Sequence, residues 1–143
     1  MEHADQNLKA LLSLWTEKRG KREMPARADL PASALKPWLG NLALIDLRSG
    51  DGPTFRLCGT NLRDRFGGEA TGRKIESLED GIATSLRDAI RRVRETNKPA
   101  QTHHKGETKN GAVTFHELCL PLADDGVNMD TVLFASYPEQ KRQ

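Results

Sequence analysis

Arg56 stands in an otherwise apolar run, F-R-L-C-G-T, and carries the strongest demand for a partner in this chain. A guanidinium in such a setting must meet an anion, a hydrogen-bond acceptor or solvent, because an unanswered buried charge is costly. Three outcomes are open: a ligand contact, an internal pair with Asp46 or an acid of the segment before Pro31, or exposure on an edge strand. Cys58 follows two positions later, and His103, His104, His116 and Cys119 come in the last third of the chain. Adjacent histidines on a strand point to opposite faces, and no C-x-x-C, H-x-x-x-H or H-E-x-x-H spacing occurs, so no metal is expected. A small enzyme built on this chain would have to use Cys58 or His116, with nucleophile and base converging in a closed cleft. The stretch Gly67 to Lys74 has the glycines of a phosphate loop but not its Gly-Lys-Ser/Thr ending, which leaves turn geometry as its reading. Asp124 and Asp125 sit in a turn sequence where carboxylates are solvated, and no catalytic role is assigned to them.

The frame around these residues follows from hydropathy. Leu8, Leu11, Leu12 and Trp15 recur at helical spacing, and Gly20 ends that helix. Pro25 and Pro31 then impose an extended connector, after which Trp38 and Leu39 return apolar surface to the core. Asn41 to Arg48 reads as a strand, Ser49 to Gly52 as a turn, and Phe55 starts an antiparallel return. In that return Phe55 and Leu57 alternate with Arg56 and Cys58, which places the two pairs on opposite faces. Leu62 and Phe66 share one side of a helical turn, broken at Gly67 and Gly68, while Gly72 is read as a point of close backbone approach. A longer helix from Ile82 buries Leu86, Ala89, Ile90 and Val93 and stops at Pro99. Its Arg87, Arg91, Arg92 and Arg94 form solvated faces, with docking of an acidic partner as the sharper alternative. Asn110-Gly111 and Asp124-Asp125-Gly126 divide the remainder into a three-strand meander.

The 143 residues suffice for one domain with a real core, and 22 basic against 20 acidic residues give no broad field for nucleic acid or an anionic membrane. The polar start M-E-H-A-D-Q-N and the lack of a spanning apolar run predict a cytoplasmic protein without membrane insertion. Cys58 and Cys119 are expected to stay reduced as small hydrophobes.

The blocks L-L-S-L-W-T-E-K-R-G, M-P-A-R-A-D-L-P, L-K-P-W-L-G-N-L-A-L-I-D, F-R-L-C-G-T and F-G-G-E-A-T-G-R resemble those of the stand-alone bacterial PAS-type family, whose members begin with a leucine- and tryptophan-bearing helix. The resemblance implies an α+β fold. Its antiparallel sheet of about five strands would run second, first, fifth, fourth, third, with helices on one face and the N-terminal helix added. The expected division is helix and connector over 1–30, the PAS-like domain over 31–138, and a tail over 139–143. By the same resemblance the chain would be a non-catalytic sensory or regulatory module acting in trans on a signalling protein, with Arg56, Cys58, Phe66 and His116 as candidate ligand contacts. Family membership names no cofactor: a heme held by one histidine stays open, and the helical cysteine motif of covalent flavin-linking relatives is absent. Leu8, Leu11, Leu12 and Trp15 are the candidate homodimer contacts. A purely structural interaction protein with a filled core is the remaining alternative.

Overall fold

The computed structural model describes residues 3–108 and 111–139. Helix α1 (His3–Arg19) leads through a 3-10 turn (Arg27–Asp29) to α2 (Ala32–Leu35), a second 3-10 turn (Lys36–Asn41) and strand β1 (Leu42–Asp46). Strand β2 (Thr54–Cys58) is followed by short turns and α3 (Arg63–Phe66), and then by α4 (Asp80–Thr96). β3 (Ala100–Thr108), β4 (Gly111–Leu122) and β5 (Thr131–Pro138) complete the chain. The five strands form one antiparallel sheet in the order β2-β1-β5-β4-β3, as the resemblance implied. Asn110 of the expected Asn110-Gly111 turn, and the tail beyond Glu139, lie outside the described residues.

Alternation along the strands divides the core into two layers. On one face, which we call inner, Ile45, Phe55, Phe134, Leu86, Ile90 and Val93 pack between the sheet and helices α3 and α4. On the outer face Leu8, Leu11 and Trp15 of α1 meet Leu44, Leu118 and Leu133 of the sheet. The helix stripe read from the sequence therefore covers the chain's own sheet. Leu8, Leu11 and Trp15 are 1%, 0% and 4% exposed, and Leu12 is only partly buried. Two indole N–H groups fix the arrangement: Trp15 donates to the Pro121 carbonyl at 2.9 Å, and Trp38 donates to the Asn7 carbonyl at 2.9 Å. The connector is tied down as well, with Met24 N–H donating to Gly126 O and Ala123 N–H to Pro25 O.

α4 begins where Glu79 accepts from the Ile82 N–H and ends at Asn97, held left-handed at φ 59°. Its buried Leu86, Ala89, Ile90 and Val93 are those given by periodicity.

Two local expectations change. β2 does not alternate, because Ile45 faces Phe55 while Leu44 faces Leu57, so Arg56 is an extra residue in a β-bulge. The bulge turns both Arg56 and Leu57 outward and leaves Phe55 and Cys58 on the inner face, which separates the expected pairs. The close backbone approach falls at Gly59 rather than Gly72. A β-carbon on Gly59 would collide with the carbonyl oxygens of Leu39 and Gly40, whereas Gly72 has open space and uses its positive φ of 87°.

Candidate functional site

α3 is a single turn, ended by Gly67 in the left-handed region at φ 76°. That turn sends two neighbouring side chains under the sheet. Phe66 packs its ring 5.2 Å from Phe55 and 6.2 Å from Phe134, centroid to centroid. Arg65 reaches β4, where alternation brings Phe115, Glu117 and Cys119 to the inner face, and register sets Glu117 opposite Ser136 of β5. The result is a polar centre inside an apolar layer. Arg65 Nε donates to Glu117 Oε2 at 3.0 Å, and the Ser136 hydroxyl donates to the same oxygen at 2.7 Å. Both charged side chains are 2% exposed.

The guanidinium carbon of Arg65 lies 5.0 Å from the centre of the Phe115 ring and 5.8 Å from that of Phe66, so aromatic faces help replace the water it has lost. One donor stays unanswered: Arg65 Nη2 is buried and has no hydrogen-bond partner among the described residues. Desolvating two charges costs several kcal/mol per ion, and apolar substitutes for such a pair are often equally stable. Fold stability is therefore a weak reason for this pair to exist.

The four candidate ligand contacts do not converge. Phe66 and Cys58 line the inner layer, while Arg56 and His116 lie on the outer side of the sheet. Arg56 is ion-paired with Asp46, Nη2 to Oδ2 at 2.9 Å, and its own side chain is 59% exposed, so the internal pair and the exposed edge strand both hold. Burial raises the pKa of Asp46, but the Arg48 N–H and the side chains of Arg48 and Arg56 outweigh it and bring the carboxyl to about 2. His116 Nε2 lies 3.0 Å from Glu139 Oε1, and its ring stands edge-on to His103 at 4.6 Å. Burial, aided by the charge of Glu69, pushes the Cys58 thiol up to about 11, and burial pushes Cys119 to about 12. Both are therefore held as thiols, the poorly nucleophilic form. Cys58 and His116 occupy opposite faces and form no nucleophile–base pair. Among the described residues no group of three His, Cys, Asp or Glu could hold a metal, and no helix is long and apolar enough to cross a membrane.

Arg65, Glu117 and Ser136 escaped the sequence reading. Glu117 had a usable signal, as the one charged side chain between His116 and the apolar L-C-L-P-L. Arg65 had none, since R-D-R-F looks like any solvated turn.

No curated protein sequence matches the chain. Among solved structures it is similar to the PAS domain of a protein from Colwellia psychrerythraea, with TM-score 0.57 and 16% identity over 78% of this chain and 95% of that one. It is also similar to a Rhodobacter sphaeroides LOV protein, with TM-score 0.53 and 12% identity over 94% and 67% of the two chains. A third is VqmA of Vibrio cholerae, with TM-score 0.59 and 17% identity over 74% of this chain and 48% of that one. At such identities the likeness concerns the fold. The family model described as PAS domain matches residues 1–134, N-terminal helix included, and the chain belongs to that family.

Proposed function

We propose that the protein is a non-catalytic sensory module, which binds a small molecule at the inner polar centre and passes the state of that centre to a protein partner in trans. The buried, unanswered Nη2 of Arg65 carries this reading. A lone buried donor calls for an acceptor, and Glu117 already balances the guanidinium charge, so the fitting ligand is neutral and offers a carbonyl, amide or hydroxyl oxygen. Phe66 and Phe115 supply flat apolar walls beside it, and Cys58 lines the same layer. The neighbours support the class: the fold recurs in light-oxygen-voltage domains, and VqmA is described as bound to DPO.

A second reading has its own observation. Phe55, Phe66, Phe134, Leu86, Ile90 and Val93 are all at most 4% exposed and fill the inner layer, which suits an interaction module without a ligand. Native mass spectrometry of freshly purified protein separates the two. The sensory reading expects a bound neutral small molecule in the wild type and its loss in the Arg65→Met/Glu117→Leu double variant, which removes both charges together and keeps the fold. A wild type that carries no ligand from cell extract, or a double variant that keeps it, favours the filled core. The same spectra test homodimerisation. Since Leu8, Leu11 and Trp15 are spent within one chain, a dimer using them would require helix exchange between copies.

A further inference from the structure

The sheet ends at β3, which pairs only with β4 among the described strands, so one backbone edge of Ala100–Thr108 has no strand beside it. An open groove of about 660 Å³ runs along this edge, lined on α4 by Ser85, Asp88, Arg91 and Arg92 and on the strand by Gln101 to His104. Successive strand residues point to opposite faces, so four in a row line one groove only when the strand's own backbone edge forms its floor. Such a floor offers N–H and C=O groups at strand spacing, which another extended chain matches.

Charge narrows the choice of chain. Asp88 is the one acid among the lining residues, and Arg91 answers it at 3.5 Å. Arg91 also meets Glu95 at 3.6 Å, whereas Arg92 meets no acid among the described residues. His103 and His104 line the groove, and exposed Lys105 follows them. A second copy would bring another Arg92 and Lys105 with one Glu107 of its own, a poorer match to this edge than a strand carrying only acids. An acidic strand would be drawn in.

We propose that the β3 edge and the α4 groove form the docking site for an extended acidic segment of a partner protein. The segment adds as a sixth strand and sets carboxylates against Arg92 and Arg91. Gln101 to His104 offer about 13 Å of edge at roughly 3.3 Å per residue, enough for a core of about four residues. The proposal rests on the regulatory reading only in requiring a partner. Its test does not involve Arg65, so the two fail separately.

Nuclear magnetic resonance titration of the full chain with the synthetic peptide T-E-V-E-V-E-T tests it. Shift changes should concentrate in 100–108 and α4, alternate β3 amides should gain protection from hydrogen exchange, and Arg92→Glu should weaken binding several-fold. T-K-V-K-V-K-T, and the acidic peptide N-methylated at alternate residues, should not bind. Failure of the acidic peptide to bind at millimolar concentration overturns the proposal, as does equal binding of either control. Protection of β3 that rises with protein concentration alone would assign the edge to a second copy. The same shifts produced by inorganic phosphate, with displacement of the peptide, would assign the groove to small anions. Either result also overturns the proposal.

Discussion

Removing one member of the Arg65–Glu117 pair should cost more than removing both. In Arg65→Met, Glu117 keeps only the Ser136 hydroxyl at 2.7 Å, inside a layer where it is 2% exposed. Breaking such a pair typically costs about 3–5 kcal/mol, against about 0–1 kcal/mol for a surface pair. Glu117→Leu strands the guanidinium against the rings of Phe115 and Phe66, which recover only about 1–2 kcal/mol of the loss. The double variant should lose less than either single variant, because neither charge is left behind and the group that loses its partner is the neutral Ser136 hydroxyl, at about 1–3 kcal/mol. The two single variants also differ in kind. A stranded carboxylate can take up a proton, and a guanidinium cannot lose one. Urea unfolding from neutral to mildly acidic pH should therefore show the Arg65→Met deficit, relative to wild type, shrinking as pH falls while the Glu117→Leu deficit stays. Single-variant losses below about 1 kcal/mol at neutral pH, or the same pH profile for both, would refute the reasoning.

Trp15→Ala removes a buried indole and its bond to Pro121, and should cost about 3–5 kcal/mol in urea unfolding. Gly59→Ala should give little folded protein by circular dichroism, because its β-carbon meets the Leu39 and Gly40 carbonyls, while Gly50→Ala, with open space, should fold like wild type. The folded pKa of Asp46, about 2, lies below its usual 3.8, so its contribution to stability is present above 3.8 and lost as pH falls through about 2. Acid titration of thermal stability should show that loss in wild type, and Asp46→Asn should lack this component.

Periodicity was a sufficient guide wherever one face of an element meets the core and the other meets water. α1, α4 and the meander were legible for that reason, and the turn chemistry of Asp124-Asp125-Gly126 marked the last hairpin. The reading of β2 erred by a single inserted residue, since a bulge changes which side chains face inward without changing composition. Of the residues the sequence singles out, Cys58 and Phe66 lie in the inner layer and Arg56 pairs with Asp46 on the outer side, while the buried arginine is Arg65. An arginine in an apolar strand looks anomalous and one in a charged turn does not. Which of them loses its water depends on tertiary contacts: Asp46 and Arg56 meet at the solvated outer side of the bulge, and Arg65 is carried under β4 by the turn that Gly67 ends.

Trp15 and Trp38 are the two tryptophans of the chain, and both secure α1 on the outer face. The protein thus carries an intrinsic optical reporter on the side of the sheet opposite Arg65. Emission should redden when α1 detaches, and deletion of the helix should remove that response. An event at the inner polar centre alters the emission only if its effect crosses the sheet, for instance along β4, whose Glu117 faces one layer and whose Leu118 and Leu120 support the other. Steady fluorescence alongside a resonance change at Ser136 would mark the two layers as mechanically independent, and a joint change would make β4 the transmitter.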